Sequence, residues 1–454
     1  MPGFLYNEKI YIGVGVGVGV GKACKYTYTY IKNEKRSGLM SDKILVIGGG
    51  FSGLTAACEA AEMGYEVAIV EREDYLGGRV AQLNKYFPKL CPPTCGLEIN
   101  FKRIRTNPRI TFYTRSEVES VSGGPGAYNV KIKVNPKYTT PQCMNCKPGE
   151  AAATTEVPNE FNFGMDTRKG IYLPHPMAFP NQCVMDPAVA QSDEGKAIEA
   201  AMPAGHIDLG QQPETIDLNV GAIIIATGWD PYDATKMDNL GFGKYENIIT
   251  NMMMERMASP SGPTGGKILR PSDKEAPKSI GFVQCAGSRD ENHLPYCSFI
   301  CCMATLKQIT YIREQYPDTD VYVFYIDIRA AGRKYENFYA KVKADEKVKF
   351  IKGKVAEVRE GSSPGSVILV AEDTIGGGKV EQEVDLAVLA TGMQPTGAKV
   401  KIPGIQYDED GFVVQQEGII PCGCAKRPAD VVSSAQSATA AALKAVQTIV
   451  RRAG

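Results

Sequence analysis

The stretch from residue 43 to residue 73 places the strongest constraint on what this chain folds into. It reads KILVIGGGFSGLTAACEAAEMGYEVAIVERE, a strand, a glycine turn, a helix and a second strand in succession. Gly48, Gly50 and Gly53 form G-x-G-x-x-G, which permits a tight turn, backbone approach to a pyrophosphate and close packing of the helix on the strand. Glu71 ends the second strand, where an acidic residue binds the ribose hydroxyls of a dinucleotide. The stretch therefore predicts a Rossmann-like dinucleotide-binding unit rather than an ordinary βαβ unit without a ligand.

Later segments favour FAD over NAD as that dinucleotide. Residues 220–228 and 384–392 each read as a buried strand that ends in Ala-Thr-Gly. Two such endings resemble the flavoproteins with two dinucleotide-binding domains, of the glutathione and thioredoxin reductase type. In that type the FAD-binding domain is interrupted by a second Rossmann-like domain and resumes in a C-terminal helix, here residues 433–452. The residues predicted to bind FAD are Gly48, Gly50, Gly53, Glu71, Gly78, Arg79, Thr227, Gly228 and Asp430.

The predicted fold class is α/β, with an FAD-binding Rossmann-like domain interrupted by a second α/β domain. The predicted segments are an extension at 1–39, FAD-binding parts at 40–135, 217–277 and 393–454, a degenerate insert at 136–216, and an inserted NAD-like domain at 278–392. The extension contains the repeats IGVGVGVGVGK and KYTYTY ahead of MSDKILVIGGG, so we expect it to be disordered or mis-translated. The insert is rich in Pro, Ala and Gln, which predicts a loop-like segment.

Composition excludes some classes of function. Lys plus Arg equals Asp plus Glu at 51 each, which argues against a nucleic-acid-binding protein. The chain contains no apolar run long enough to span a membrane and no signal-peptide pattern, so we expect a cytoplasmic location. In a reducing compartment, thirteen cysteines beside three histidines indicate thiolate metal or redox chemistry rather than structural disulfides.

Four of those cysteines are concentrated in residues 282–308, FVQCAGSRDENHLPYCSFICCMATLKQ. They are Cys285, Cys297, Cys301 and Cys302, here called the cysteine array. The array begins where the second domain would carry a glycine motif for NAD, of which only Gly287 remains, so the nucleotide pocket is predicted to be lost. Four thiolates can bind a [4Fe–4S] cluster, a [2Fe–2S] cluster or zinc, and buried cysteines also serve as small hydrophobic residues. The adjacent pair is unusual for a zinc finger, which favours an iron–sulfur cluster.

Several segments together resemble the A-subunit family of heterodisulfide reductase. They are GGRVAQLNKYFPKLCPPTCGLEINFKRI, VQCAGSRD, YCSFICCMATLKQ and CGCAKRPADVVSSAQSA. The resemblance extends over essentially everything from Met40 onwards. Within the family it is closest to the A-subunit of the quinone-interacting membrane-bound oxidoreductase complex of sulfate reducers.

This resemblance implies FAD, a [4Fe–4S] cluster on the cysteine array and electron transfer inside a multi-subunit complex. It further implies electron flow between menaquinone and adenylylsulfate reductase. The chain would then be a cytoplasmic component held at the inner face of the membrane by its partner subunits. No histidine or carboxylate pair stands out as a general acid and base, which fits an electron conduit. Dimers are common in this architecture, so a homodimer is also an expectation.

The remaining cysteines leave alternatives open. Cys91 and Cys95, in CPPTC, predict a structural turn, a redox dithiol of a flavin disulfide reductase, or a contact with a metal or partner. Cys143 and Cys146, in QCMNC, are too few to hold a cubane, so no second cluster is expected in the insert. A further alternative is a flavin-bearing scaffold whose cysteines are structural.

Cys422 and Cys424 lie in PCGCAK, where the chain is predicted to return to the flavin. Their small side chains favour a role in packing.

Overall fold

The computed structural model describes residues 41–453, so the predicted extension at 1–39 lies outside the described residues. The strands are β1 Lys43–Ile47, β2 Glu66–Val70, β3 Ile110–Tyr113, β4 Ser116–Gly124, β5 Ala127–Val134, β6 Glu156–Pro158, β7 Thr167–Lys169, β8 Ile171–Tyr172, β9 Val184–Met185, β10 Glu214–Val220, β11 Ala222–Ile225, β12 Trp229–Pro231, β13 Ile248–Thr250, β14 Ser279–Ala286, β15 Asp320–Tyr325, β16 Val348–Lys352, β17 Val355–Glu360, β18 Val367–Glu372, β19 Lys379–Val384, β20 Leu386–Thr391, β21 Met393–Pro395 and β22 Ile419–Pro421. The α-helices are α1 Phe51–Glu62, α2 Gly78–Ala81, α3 Thr94–Thr106, α4 Lys147–Ala152, α5 Pro187–Ala190, α6 Asp193–Ala201, α7 Asn251–Ala258, α8 Cys301–Gln315, α9 Tyr335–Lys343 and α10 Val431–Ala453.

The first domain is a parallel sheet with helices on one face and an antiparallel sheet on the other. The parallel strands lie in the order β22-β11-β1-β2-β3, and the antiparallel strands in the order β10-β5-β4. Near-continuous runs such as Leu45–Ile47 and Ile223–Ile225 are apolar because this sheet is covered on both faces. Helices α1 and α10 pack on one face through alanines, including Ala57 and Ala442.

The second domain repeats this architecture. Its parallel strands lie in the order β13-β20-β14-β15-β16, and its antiparallel strands in the order β17-β18-β19. Helices α7, α8 and α9 cover one face of the parallel sheet, through residues such as Leu306 and Ile309. Strands β12 and β21, which follow the two Ala-Thr-Gly segments, pair antiparallel and join the domains. Each Ala-Thr-Gly segment therefore lies at the carboxyl end of a parallel sheet.

The insert at residues 136–216 is not the loop-like segment that its composition predicted. It contains the helices α4, α5 and α6 and the short strand pairs β6–β7 and β8–β9. Buried side chains that include Ile171, Met185 and Ile198 give it a small hydrophobic core. A disulfide between Cys146 and Cys183 crosses that core, although sequence reasoning expected thiols rather than disulfides. Composition failed here because a few apolar residues spaced far apart in the sequence form the core.

Over residues 41–453, no helix has both the length and the apolar character that a membrane crossing requires.

Candidate functional site

The glycine turn after β1 is shaped to leave one stretch of backbone open. Gly48 has a φ of +103°, and a Cβ there would lie 2.3 Å from the carbonyl oxygen of Ala226. A Cβ on Gly53 would lie 1.8 Å from the carbonyl oxygen of Gly48, so only glycine lets α1 pack this closely. Around Gly50, by contrast, the nearest atom to such a Cβ is 3.8 Å away, on Gly78. The turn therefore exposes backbone at the N-terminus of α1, where N–H groups and the helix dipole favour a phosphate.

Glu71 is held in this turn by backbone donors. The backbone N–H of Gly49 donates to Oε2 at 2.6 Å, and that of Glu73 donates to Oε1 at 2.8 Å. Burial raises the pKa of the Glu71 carboxyl to about 7, although these backbone hydrogen bonds oppose the shift. The carboxylate lines a cavity and retains free lone pairs, so it can accept hydrogen bonds from ribose hydroxyls.

One large cavity brings the predicted flavin-binding residues together. Its volume is about 1230 Å³, and it is called the main cavity below. Eight of the nine predicted residues line it, namely Gly48, Gly50, Glu71, Gly78, Arg79, Thr227, Gly228 and Asp430. Gly53 does not line the cavity, because it lies where α1 packs under the turn. Since ligand pockets are commonly about 300–1,000 Å³, the main cavity has room for a large, extended ligand such as a dinucleotide.

Arg79 and Asp430 are fixed at the cavity wall by different partners. Arg79 forms an ion pair with Asp230 and donates from Nε to the carbonyl oxygen of Trp229 at 3.2 Å. Asp430 caps helix α10, accepting from the backbone N–H of Ser433 at 2.7 Å, and its other oxygen accepts from the Tyr335 hydroxyl at 2.8 Å. Arg79 thus fixes helix α2 to β12, while Asp430 fixes the start of α10.

The cysteine array lies at the carboxyl end of β14 and the N-terminus of α8. Cys285 lies at the end of β14 with a φ of +57°, which is costly for a residue other than glycine. Cys301 and Cys302 begin α8 and are buried, and Cys297 lies in the preceding loop with partial exposure. The loop is fixed by a 2.7 Å hydrogen bond between the hydroxyls of Ser288 and Ser298.

The other three cysteines of the array lie close enough to Cys301 to influence its ionisation. Burial raises the pKa of Cys301 well above its ordinary value, and the neighbouring Cys302, Cys285 and Cys297 raise it further. Burial also raises the pKa of Cys302, to about 11. The backbone N–H of Phe299 donates to the sulfur of Cys297 at 3.3 Å. Such N–H donors stabilise negative charge on sulfur, so they favour the thiolate that metal binding requires.

The donor chemistry of the array fits an iron–sulfur cluster. Among the described residues, no three His, Cys, Asp or Glu side chains are gathered around one point as the ligands of a single metal ion. Four thiolates are a donor set that iron–sulfur clusters use. Arg289 and Arg329 lie beside the array, both paired with Asp327 at 2.8 and 3.2 Å. These cations would offset the negative charge of a thiolate-bound cluster.

The array adjoins the main cavity. Ile300 immediately precedes the adjacent cysteines and Ala304 follows them within the first turn of α8, and both line the cavity. The Cys301 thiol donates to the carbonyl oxygen of Thr391 at 3.8 Å, at the end of β20. A group held by the array would therefore lie next to a group held in the cavity.

Sequence reasoning missed an ionisable pair at the cavity wall. Lys307 and Glu255 lie 2.9 Å apart on α8 and α7, and both line the main cavity. Glu255 also accepts from Gln308 Nε2 at 2.8 Å and from the Tyr311 hydroxyl at 3.2 Å. Burial lowers the pKa of Lys307, an effect that Glu255 opposes. No sequence pattern marked this pair, since its members come from helices that are separated in the chain by β14 and its flanking loops.

Cys91 lies behind the wall of the main cavity, where the backbone N–H of the lining residue Tyr86 donates to its carbonyl oxygen at 2.8 Å. Cys91 and Cys95 both carry free thiols near the start of α3, Cys95 is exposed, and neither is among the residues that line the cavity. Cys422 is buried in the first domain's core, whereas Cys424 is buried against Met393 and Ala429 and lines the cavity.

The fold class is that of the flavoproteins with two dinucleotide-binding domains. The family model described as "NAD(P)-binding Rossmann-like domain" matches residues 46–102. The crystal structure of Lactococcus lactis thioredoxin reductase is similar with a TM-score of 0.50, at 14% identity, over 90% of this chain and 99% of that chain. The predicted fold class is confirmed.

Two curated relatives narrow the class to a family. The chain is 39% identical over 426 residues to the iron-sulfur A-subunit 2 of CoB–CoM heterodisulfide reductase from Methanopyrus kandleri, covering 90% of this chain and 65% of that protein. It is 38% identical over 427 residues to the A-subunit of the ferredoxin/F420H2-dependent CoB–CoM heterodisulfide reductase from Methanosarcina acetivorans, covering 90% and 53%. Over nine tenths of its length the chain is therefore a homologue of the heterodisulfide reductase A-subunit, as its motifs predicted. It spans between about half and two thirds of the length of these relatives.

Proposed function

We propose that this chain is a flavin- and iron–sulfur-dependent electron-transfer component of an oxidoreductase complex. The observation that carries the proposal is the contact between the cysteine array and the main cavity, through Ile300 and Ala304. Bound FAD would exchange electrons in pairs and a [4Fe–4S] cluster would exchange them singly. With the two sites side by side, one chain can convert between the exchange of electron pairs and the exchange of single electrons.

FAD is bound in the main cavity, which eight of the nine predicted residues line, while Gly53 lets α1 pack under the turn. Gly48, Gly50 and Gly53 present the N-terminus of α1 to the pyrophosphate, and Glu71 accepts from the ribose hydroxyls. Gly78, Arg79, Thr227, Gly228 and Asp430 complete the wall. What supports this assignment is the open backbone at Gly50, which a side chain would close.

The cluster is held by Cys285, Cys297, Cys301 and Cys302. Its support is the chemistry of the donor set. Three soft thiols lie close to that of Cys301, the backbone N–H of Phe299 donates to the Cys297 sulfur, and two arginines lie nearby. Because metal binding requires deprotonated thiols, cluster assembly is favoured at higher pH.

The complex is a quinone-linked respiratory assembly, in which the chain relays electrons between menaquinone and adenylylsulfate reductase. The support here is the resemblance to the A-subunit of the quinone-interacting complex of sulfate reducers. The relatives are named as subunits of heterodisulfide reductases, which supports partnership with other subunits. Contact with quinone then depends on membrane partners, with this chain at the cytoplasmic face. A disulfide reductase that uses Cys91 and Cys95 is less favoured, because its usual nicotinamide reductant would need the glycine turn of the second domain, where only Gly287 remains and the Tyr232 ring covers it.

The proposal is tested by following electrons out of the protein. Anaerobic, photoreduced protein is mixed with cytochrome c, a one-electron acceptor too large to enter the main cavity. We expect rapid reduction by the wild type and at least a roughly tenfold slower reduction by Cys301→Ser/Cys302→Ser, with FAD retained in both. A Cys91→Ser/Cys95→Ser variant should match the wild type. Equal rates in the wild type and the Cys301/Cys302 variant would contradict the proposal, and a slow Cys91/Cys95 variant would favour the dithiol.

A further inference from the structure

Two buried polar side chains next to the cysteine array have donors that the protein leaves unused. The Thr305 hydroxyl and both polar atoms of the Gln284 carboxamide have no hydrogen-bond partner among the described residues. Thr305 is 1% exposed and Gln284 is 2% exposed, so bulk solvent does not satisfy them. Buried polar groups normally have partners, so each exception indicates a specific cause.

The Thr305 side chain departs from the usual behaviour of a helical threonine. Within helices, the hydroxyl of Thr55 donates to the carbonyl oxygen of Phe51 at 2.8 Å, and that of Thr310 donates to the carbonyl oxygen of Lys307 at 2.6 Å. Thr305 makes no such bond, although it lies in the interior of α8. Its donor is therefore available to another acceptor.

The position of Thr305 on α8 identifies where that acceptor lies. Residues four apart lie on one face of a helix, so Thr305 lies one turn beyond Cys301 on the same buried stripe. Helical side chains lean toward the preceding turn, which directs the Thr305 hydroxyl toward Cys301. Further along α8, Ile309 packs with Ile280 and Phe282 of β14, so the Cys301 end of the helix lies toward the carboxyl end of that strand, where Cys285 lies.

Gln284 reaches the same region from the sheet. Ile280 and Phe282 pack with the core under α8, while Val283 packs on the opposite face of the sheet. The pairing of β14 with β20 shifts register between Val283 and Ala286, and within this irregular segment the buried Gln284 carboxamide immediately precedes Cys285. Two unused polar groups thus flank ligands of the array, one on the strand and one on the helix that carry them.

We propose that Thr305 and Gln284 donate hydrogen bonds to sulfur atoms of the cluster bound by the array and so raise its midpoint potential. The inference rests on the proposed function, since it requires that cluster. A donor on a sulfide or thiolate sulfur withdraws negative charge and favours the reduced, more negative state. The two residues are positioning and tuning groups, not ligands, and they set how readily the cluster accepts an electron.

The test is an EPR-monitored redox titration of anaerobically purified protein, with iron and FAD measured on each sample. We expect Thr305→Val and Gln284→Met each to shift the cluster midpoint potential to more negative values, and the double variant to shift it further. Thr305→Ser, which restores the hydroxyl, should titrate like the wild type. Thr310→Val is the matched control, because it removes a satisfied hydroxyl from the same helix, and it should leave the potential unchanged.

The stability of metal-free protein separates tuning from a structural role. A hydroxyl without a partner contributes nothing to folding, so metal-free Thr305→Val should melt no lower than metal-free wild type. Iron lost only from Thr305→Val and regained in Thr305→Ser would also support contact with the cluster. Full iron with unchanged potentials in both variants would overturn the inference while leaving the proposed function intact. Wild-type protein without iron would instead overturn the proposed function, and this inference with it.

Discussion

Lys307 Nζ lies 2.9 Å from Glu255 Oε1, and the two side chains are 3% and 2% exposed at the wall of the main cavity. Lys307 also donates to the carbonyl oxygen of Lys85 at 2.7 Å, and Glu255 accepts from the backbone N–H of Asn84 at 3.0 Å. The pair therefore joins helices α7 and α8 of the second domain to residues 84–85 of the first domain, which follow α2.

Breaking this pair on one side is expected to destabilise the fold. Lys307→Met leaves the Glu255 carboxylate buried without its cation, which costs about 3–5 kcal/mol of unfolding free energy. Lys307→Met/Glu255→Gln should recover much of that loss, because no lone charge remains. The control is Lys85→Met, which breaks a more exposed pair with Glu314 and should cost about 0–1 kcal/mol. Denaturant unfolding measures all four proteins, and equal stabilities for Lys307→Met and Lys85→Met would contradict the account.

The ionisation of Glu71 is expected to give flavin-free protein a distinct pH dependence. The folded pKa is about 7, above the ordinary value of 4.5, so the folded state binds more protons between those two values. The contribution of Glu71 to stability is thus fully present below pH 4.5 and lost as pH rises through 7. Thermal melts should show this decline in the wild type and a flatter profile in Glu71→Gln. Parallel profiles would show that another group is responsible.

Glu71→Gln should also weaken flavin binding. The amide cannot accept from both backbone donors and the ribose, and a hydrogen bond to a charged group is worth about 1.5–3 kcal/mol. The dissociation constant for FAD, measured by quenching of flavin fluorescence, should rise by about tenfold to a hundredfold at about pH 8. Affinity equal to that of the wild type would remove Glu71 from the binding site.

NADH and NADPH are expected not to reduce the bound flavin rapidly. In the second domain a Cβ on Gly287 would lie 2.5 Å from the Tyr232 ring, so its backbone is covered where that of Gly50 is open. The following helix begins only at Cys301, so no helix N-terminus directly follows this turn in the described part of the chain. The visible flavin absorbance should bleach with dithionite and persist with either nicotinamide nucleotide. Rapid bleaching by NADH would show that a nucleotide site remains.

The Cys146–Cys183 disulfide is expected to stabilise the insert. It closes a loop with a sequence separation of 37 residues, for which the chain-entropy relation gives about 4 kcal/mol. Cys146→Ala/Cys183→Ala should therefore lower the melting temperature, whereas Cys143→Ala, which removes a buried unbridged thiol from the same core, should lower it less. Alkylation under denaturing, non-reducing conditions followed by mass spectrometry should find Cys146 and Cys183 unmodified. Modification of both would contradict the disulfide.

The sequence was most informative where function depends on local spacing. The glycines at 48, 50 and 53 and the two Ala-Thr-Gly endings predicted the fold class, because a turn at the end of a parallel strand needs specific residues at fixed positions. The cysteine array was also predicted from local spacing, because its four cysteines lie within eighteen residues.

Features built from distant segments were not visible in the sequence. The Lys307–Glu255 pair, the unused donor of Thr305 and the core of the insert each depend on helices and strands that meet only in three dimensions. Residues of these types are usually exposed or unremarkable, so no local pattern distinguishes them.

Metal and flavin content test most directly whether one chain holds a flavin and a four-iron cluster side by side. Iron, acid-labile sulfide and FAD are measured per chain on anaerobically purified wild type, on Cys301→Ser/Cys302→Ser and on Cys58→Ser, a buried cysteine in the first domain's core. We predict about four iron and four sulfide per FAD in the wild type and in Cys58→Ser, and FAD without iron in the double variant. Wild-type protein with FAD but no iron, or iron that persists in the double variant, would contradict the claim.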